Sequence, residues 1–270
     1  MALSPLLNVM TSAARKAGRS LARDFGEVEN LQVSVKGPAN FVSAADLKAE
    51  KIIQEELAKA RPGYGFLLEE GGVVEGSDKA NRWIVDPLDG TTNFLHSIPQ
   101  FCISIGLERE GKLFAGVIYN PVTDELFTAE KGKGSYLNDR RLRVAARRTL
   151  DDCVLSMGIP HRGRPGQARF KSEMDAVLNN VAGLRRTGSA AMDLAWTAAG
   201  RFDAYWERNI KPWDMAAGIV IVREAGGIVT DMKGGSEMLA SGTVIAANVQ
   251  VQKALMPLVG EPAAARAAKA

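Results

Sequence analysis

Trp83-Ile84-Val85-Asp86-Pro87-Leu88-Asp89-Gly90-Thr91-Thr92-Asn93-Phe94 is an apolar strand that runs straight into two carboxylates, a proline, a glycine and two hydroxyls. Pro87 fixes its φ and has no N–H to donate, so the backbone bends sharply there. The bend aims the Leu88 carbonyl and the carboxylates of Asp86 and Asp89 at one point. Hard divalent cations want oxygen donors that converge in this way. Gly90 and Thr91 add backbone N–H groups at the bend, and a helix starting there turns its N-terminus toward a phosphate anion. A bare Asp-Pro-x-Asp-Gly is also how an ordinary Asx turn closes a strand. The full string carries more than that turn.

Downstream of this stretch the texture stays β. Cys102 to Leu107, Leu113 to Tyr119 and Glu125 to Thr128 are β-rich runs separated by turn residues such as Glu110-Gly111-Lys112 and Pro121-Val122-Thr123-Asp124. Hairpin-like spacings of this kind predict an antiparallel sheet. Upstream, Ser4 before Pro5 reads as an N-cap with proline at the first helical position. Leu6, Val9, Met10, Ala13, Ala17 and Leu21 then form a helical stripe that ends near Gly26. A second helix starts near Ser43 to Asp46, carries Leu47, Ile52, Ile53 and Leu57, and stops at Arg61-Pro62-Gly63. After Asp152 the pattern alternates. A strand over Cys153 to Met157, helices near Gln167 to Asn179 and Ser189 to Ala199, a strand over Phe202 to Trp206, a helix over Asp214 to Glu224 and a strand over Ile228 to Asp231 predict an α/β second half.

The chain therefore reads as one α/β unit over 1–270, with helices plus antiparallel sheet in about 1–150 and an α/β half in about 151–260. The Ala-rich end, 261–270, reads as a frayed tail. With 34 basic and 31 acidic residues the net charge is only +3, so the overall field makes no case for nucleic acid or membrane, and small-molecule chemistry is the expectation. No stretch is long and apolar enough to span a bilayer, and the N-terminus lacks the pattern of a signal peptide. Cys102 and Cys153 sit in apolar runs that suit buried thiols, which fits a reducing cytoplasm. His96 and His161 are the only histidines, too few for a histidine zinc site or a Ser-His-Asp triad. Hydrolytic chemistry in this chain has to lean on carboxylates.

Trp83 to Phe94 resembles the first signature of the inositol monophosphatase family, and Lys211-Pro212-Trp213-Asp214-Met215-Ala216-Ala217-Gly218 resembles its second. Two motifs far apart and in the right order are a specific match. Glu69-Glu70 after Phe66-Leu67-Leu68 is similar to the family's metal-binding glutamate segment. Lys36 followed by Phe41-Val42-Ser43-Ala44-Ala45-Asp46 is similar to its lysine loop and aspartate. The similarity runs from about Leu6 to about Asn248 and is closest to the bacterial SuhB-type inositol-1-monophosphatases.

The resemblance implies the layered α-β-α-β-α sandwich of the sugar phosphatase superfamily. It implies two to three Mg²⁺ ions, one on Glu69, Asp86 and the Leu88 carbonyl, a second on Asp86, Asp89 and Asp214, and a weaker third near Glu69. Thr91, backed by Asp46, then orients a metal-activated water for in-line attack on phosphorus. Substrate contacts fall on Asp89, Gly90, Thr91, Gly188, Ser189, Ala190, Glu207 and Asp214. The residues support this: Gly188-Ser189-Ala190-Ala191 opens a helix whose first N–H groups can bind oxygens, and a cation replaces the missing histidine base. Read alone, Asp214 is a helix N-cap and Glu207 a charge at a strand end.

The implied reaction is hydrolysis of myo-inositol-1-phosphate, with lithium inhibition and a homodimer expected. The same metal centre also suits fructose-1,6-bisphosphate, histidinol phosphate or 3′-phosphoadenosine 5′-phosphate. Gly71-Gly72 after Glu70, Ser43 where a threonine is common, and the basic run Arg208-Asn209-Ile210-Lys211 depart from the family pattern without removing a metal ligand. Arg140, Arg141, Arg143, Arg147 and Arg148, joined by Arg162 and Arg164, make a basic cluster that reads as a strand with one solvated face. SuhB-type relatives are linked to a transcription antitermination complex, so a regulatory or RNA-binding role is the rival from another class. Lys131-Gly132-Lys133-Gly134-Ser135 lacks Walker spacing and reads as a hairpin turn.

Overall fold

The structure is a computed structural model that describes residues 3–27, 33–37, 40–160, 163 and 165–261, with side chains described in all of these except 33–37 and 40–43. Lys36, Phe41, Val42 and Ser43 thus lie outside the described side chains, and His161, Arg162, Arg164 and the tail beyond Glu261 lie outside the described residues.

In chain order the elements are α1 (Pro5–Phe25), β1 (Val33–Gly37), β2 (Asn40–Ser43), α2 (Ala44–Ala60), β3 (Tyr64–Leu68), β4 (Gly72–Val74), β5 (Asp78–Asp89), α3 (Thr91–Leu95), β6 (Cys102–Arg109), β7 (Lys112–Asn120), β8 (Glu125–Glu130), β9 (Gly134–Leu137) and β10 (Arg140–Arg141). The second half adds β11 (Val154–Met157), α4 (Gln167–Leu178), β12 (Gly183–Arg185), α5 (Ala190–Ala198), β13 (Ala204–Arg208), α6 (Pro212–Glu224), β14 (Ile228–Thr230), α7 (Met238–Ser241), β15 (Thr243–Ala247) and α8 (Val249–Val259).

Ser4 caps α1 as its sequence predicts: its hydroxyl accepts from the Leu7 N–H at 3.2 Å and donates to Glu130 on β8. The buried stripe of α1, with Leu7, Met10, Ala14 and Leu21, lies with α2 on one face of an eight-stranded sheet ordered β10-β9-β8-β7-β6-β5-β3-β4. On the other face lie α5 and α6, which also meet one face of a five-stranded sheet ordered β12-β11-β13-β15-β14. Helices α4 and α8 cover the far face of that second sheet. These are five layers, α-β-α-β-α, with the hydrophobic core divided between the gaps. Helix α6 reaches the first sheet closely because β7 carries Gly116 beneath it; a Cβ there would stand 2.4 Å from the Ala217 carbonyl oxygen.

The first sheet departs from the expected antiparallel pattern at one pairing: β3 runs parallel to β5, with Leu68 opposite Val85. A connection from β3 through β4 returns the chain in the same direction. The expected strand through Arg140 to Val144 is cut to the two residues of β10. Beyond it the Leu142 N–H bonds Ser135 O and the Val144 N–H bonds Ala225 O, so the chain leaves the sheet to lie against the end of α6. The alternation survives, with Leu142 buried and Arg141 and Arg143 exposed. The Lys131-Gly132-Lys133 turn joins β8 to β9, and the Gly132 and Gly134 N–H groups donate to the Glu224 carboxylate at 2.9 and 2.8 Å. The segment is the hairpin turn its sequence predicts, and its N–H groups are taken by a carboxylate of the chain itself. Both cysteines are buried free thiols. Among the described residues no helix is long and apolar enough to cross a membrane.

Candidate metal-dependent active site

Asp86 and Asp89 are three residues apart, so a regular strand would send them to opposite faces. The pairing of β5 with β6 slips between them: Asp86 faces Ser104 and Asp89 faces Cys102, leaving Pro87 and Leu88 against the single residue Ile103. This is a β-bulge with Pro87 in it, where a missing N–H costs the ladder nothing. The extra residue returns both carboxylates to one side. Asp86 also accepts from the Leu88 N–H at 2.9 Å, which fixes the turn.

Two other elements complete the acidic floor. Parallel pairing of β3 with β5 brings Glu69 next to Asp86, and the Glu69 N–H donates to Val85 O at 3.1 Å. Helix α6 brings Asp214. It starts at Pro212, two residues before the expected Asp214, so Asp214 stands at the third helical position and its carboxylate accepts from the Lys211 N–H at 2.7 Å. The N-cap is therefore Lys211 and not Asp214, which instead accepts the N-cap N–H from the third helical position, the reciprocal half of a capping box. The Ser104 hydroxyl on β6 donates to Trp213 O at 3.1 Å, tying the start of α6 over the strand residue that pairs with Asp86. Ligand oxygens of Asp86, Asp89 and Asp214 all lie within 4.8 Å of one another.

Such a cluster repels itself. Burial, followed by the charges of Glu69, Asp89 and Asp214, pushes the Asp86 carboxyl well above the usual carboxylate range. Burial lifts Asp89 to about 6 against the hydrogen bonds that lower it. A divalent cation removes the repulsion, and the donor set is all hard oxygen. With bonds of about 2.1 Å, oxygens around one Mg²⁺ stand roughly 3 Å apart when adjacent and roughly 4 Å when opposite, so three oxygens within 4.8 Å of one another close by at most about 2 Å to share an ion. Asp86, Asp89 and Asp214 fit a hard divalent cation by chemistry and by spacing, and Glu69 and the Leu88 carbonyl, which line the same cavity, add oxygen donors of the same kind.

The hydroxyl of Thr91, first residue of α3, lies 3.1 Å from Asp46 Oδ1 and 3.1 Å from Leu88 O. Asp46 comes from the first turn of α2 and is fully buried. Gly90 caps α3 with φ of +99°. Across the cleft, Ser189 caps α5, and its hydroxyl donates to Asp89 Oδ2 at 2.6 Å; the Ala191 N–H reaches the same oxygen at 2.7 Å. The start of α5, expected to offer open N–H groups to substrate, is turned instead on a carboxylate of the other half of the chain.

These residues line a cavity of about 300 Å³ in which Glu69, Asp86, Leu88, Asp89, Gly90, Thr91, Gly188, Ser189, Ala190, Glu207 and Asp214 all appear. Asp46 sits behind Thr91. Glu207 lies on β13, which starts and ends two residues later than expected and so carries it inside the strand. The Tyr205 O–H donates to Glu207 Oε2. Burial raises Glu207 to about 8, with Asp193 and Asp89 adding repulsion. Gly158 makes room for it: a Cβ there would stand 1.7 Å from the Glu207 carboxyl carbon. His96 is exposed at the end of α3 and outside the cavity lining.

Sequence reasoning passed over Asp193, Tyr205, Ser156 and Asn93. Asp193 is buried, lines the cavity and is raised by burial to about 7. An acidic residue in an otherwise apolar helix, Ala190-Ala191-Met192-Asp193-Leu194-Ala195, was the available signal.

The chain matches the model described as the inositol monophosphatase family over residues 2–265. It is similar to an inositol-1-monophosphatase of Mesorhizobium japonicum, 60% identical over 98% of this chain and 100% of that protein. It is also similar to the Nus factor SuhB of Escherichia coli K12, 41% identical over 94% of this chain and 95% of that one. The crystal structure of the extragenic suppressor protein suhB from Bartonella henselae superposes with a TM-score of 0.93 at 58% identity, covering 95% of this chain and 98% of that one.

Proposed function

The chain belongs to the inositol monophosphatase family, and from that premise we propose that it is a Mg²⁺-dependent phosphomonoesterase that hydrolyses myo-inositol-1-phosphate to myo-inositol and phosphate. The observation that carries this reading is the convergence of ligand oxygens of Asp86, Asp89 and Asp214 within 4.8 Å of one another, beside the Thr91–Asp46 pair and in a cavity that Glu207 also lines. The name of the Mesorhizobium relative supports the substrate.

Bound at the carboxylates and the Leu88 carbonyl, two to three Mg²⁺ ions supply Lewis acidity toward the phosphate and the attacking water. The chain's own groups do the rest. Thr91 has two acceptors for one proton, Asp46 Oδ1 and Leu88 O, so its hydroxyl oxygen is left to accept from the attacking water and hold it in line with phosphorus. Asp46 keeps the Thr91 proton directed away from the cleft. Gly90, Thr91 and the Gly188-Ser189-Ala190 turn wall the phosphate, and Glu207, with Oε2 taken by Tyr205, presents Oε1 to the polyol hydroxyls. Lithium inhibition, a homodimer and a cytoplasmic setting belong to the same proposal.

A substrate panel tests it. Phosphate release is measured from inositol-1-phosphate, fructose-1,6-bisphosphate, histidinol phosphate and 3′-phosphoadenosine 5′-phosphate, with and without Mg²⁺ and Li⁺. Preference for inositol-1-phosphate, lost without Mg²⁺ and reduced by Li⁺, is expected; preference for another ester keeps the chemistry and replaces the substrate. A second, regulatory reading is favoured by the Nus factor relative and by exposed Arg140, Arg141 and Arg148. Salt-sensitive RNA binding lost in an Arg140→Ala, Arg141→Ala variant would support it, and no binding at low salt would remove it.

A further inference from the structure

The two halves of the molecule meet at the active site through a chain of hydrogen bonds that ends on a buried acid. Asn93, in α3 directly after the metal-site turn, is buried and donates its amide both to Gln100 O at 2.7 Å in its own half and to Thr187 O at 2.8 Å in the other. The Thr187 hydroxyl donates to Asp193 Oδ1 at 2.7 Å, and the Ser156 hydroxyl of β11 donates to the same oxygen at 2.6 Å. Asp193 is only 2% exposed. Its own N–H makes the first bond of α5, to Ser189 O at 3.0 Å. The Ser189 hydroxyl accepts from the Met192 N–H at 3.3 Å and donates to Asp89 Oδ2 at 2.6 Å.

These contacts form a closed circuit: Asp89 to Ser189 to α5, through the Asp193 side chain to Thr187, and through Asn93 back to the turn that carries Asp89. One oxygen of Asp193 holds both the strand hydroxyl and the loop hydroxyl, so the segment 186–189 cannot move without breaking a buried bond. Ser189 and Ala191 together hold Asp89 Oδ2, and so orient the carboxylate that stands beside Asp86 and Asp214.

We infer that Asp193 is a positioning residue of the reaction: through Thr187 and Ser156 it fixes the 186–189 loop that grips Asp89, and so sets the metal affinity of the site without touching the metal itself. The inference rests on the proposed metal-dependent reading. Outer partners that orient metal ligands typically change metal affinity about 10- to 100-fold when lost.

The test is Mn²⁺ binding to the metal-stripped protein, followed by electron paramagnetic resonance of free Mn²⁺, for wild type, Asp193→Ala, Asp193→Asn, Thr187→Val and the Asp193→Ala, Thr187→Val double variant. Circular dichroism and gel filtration check the fold. Asp193→Ala and Thr187→Val are expected to weaken Mn²⁺ about tenfold, and the double variant no more than Asp193→Ala alone, because both break one circuit. Asp193→Asn keeps an oxygen for the two hydroxyls and should bind within about threefold of wild type. In turnover with inositol-1-phosphate, the Mg²⁺ requirement should rise while KM moves less than about twofold. Wild-type Mn²⁺ affinity in Thr187→Val overturns the inference even if Asp193→Ala fails to fold. A rise in KM alone also overturns it, since Asp193 would then be a substrate contact. If wild type binds Mn²⁺ but does not hydrolyse inositol-1-phosphate, the substrate assignment fails and the inference stands on the binding data; if wild type binds no Mn²⁺, both fall.

Discussion

Metal-free protein should lose stability as pH rises from 5 to 8, and Mg²⁺ should restore it. Asp89 is lifted from its ordinary 3.8 to about 6, chiefly by burial. Between those values the folded state holds a proton that the unfolded state has released, so the slope of unfolding free energy against pH is negative. The whole displacement corresponds to at most about 3 kcal/mol. Roughly half of that, about 1.5 kcal/mol, falls between pH 5 and pH 8. For a chain of this length, 1 kcal/mol moves Tm by about 2 °C, so Asp89 alone accounts for about 3 °C. Asp193 at about 7 and Glu207 at about 8 push in the same direction. Differential scanning calorimetry in EDTA at pH 5, 6, 7 and 8, on wild type and Asp89→Asn, isolates the Asp89 share. The wild-type decline should be steeper by about 3 °C, and Mg²⁺ should raise Tm more at pH 8 than at pH 5. A wild-type Tm that is flat or rises with pH, matched by Asp89→Asn, would refute the electrostatic account of the cluster.

Three further outcomes follow from single contacts. Thr91→Val removes the hydroxyl shared by Asp46 and Leu88; kcat should fall about 100-fold or more while Mn²⁺ affinity stays near wild type, by the same resonance titration. Gly158→Ala drives a Cβ into Glu207, so KM for inositol-1-phosphate should rise and stability should drop by about 1–3 kcal/mol, measured by steady-state kinetics and urea unfolding. Ser4→Ala removes the cap of α1 and its bond to Glu130, at a cost of about 1 kcal/mol, or about 2 °C in Tm, with kcat/KM unchanged.

Sequence reasoning reached those parts of the molecule in which local chemistry decides the outcome. Ser4-Pro5 starts α1, Ala60 before Arg61-Pro62-Gly63 ends α2, and the twelve residues from Trp83 bend where proline and glycine make them bend. The acidic residues it singled out converge because a bulge, a parallel strand pairing and the start of α6 deliver them to one floor. What it missed depends on partners distant in the chain. The parallel pairing of β3 with β5 is invisible in either strand alone. Strand β15 and helix α8 were passed over; Asn248 caps α8, but Pro257 inside it breaks the helical pattern near its end. The role of Asp193 requires knowing that Ser156 and Thr187, 37 and 6 residues away, face it. Likewise, the amides at the start of α5 look open in sequence because Asp89, 102 residues before Ala191, is what they hold.

The most direct test of the account is a Mg²⁺ titration of EDTA-stripped protein with inositol-1-phosphate as substrate, comparing wild type with Asp214→Asn. Phosphate release should be absent without metal, appear and saturate as Mg²⁺ is added to wild type, and stay at least about 100-fold lower in Asp214→Asn at any Mg²⁺ concentration. Turnover by the stripped wild type, or an Asp214→Asn variant as active as wild type, would contradict a carboxylate-held metal as the source of the hydrolysis.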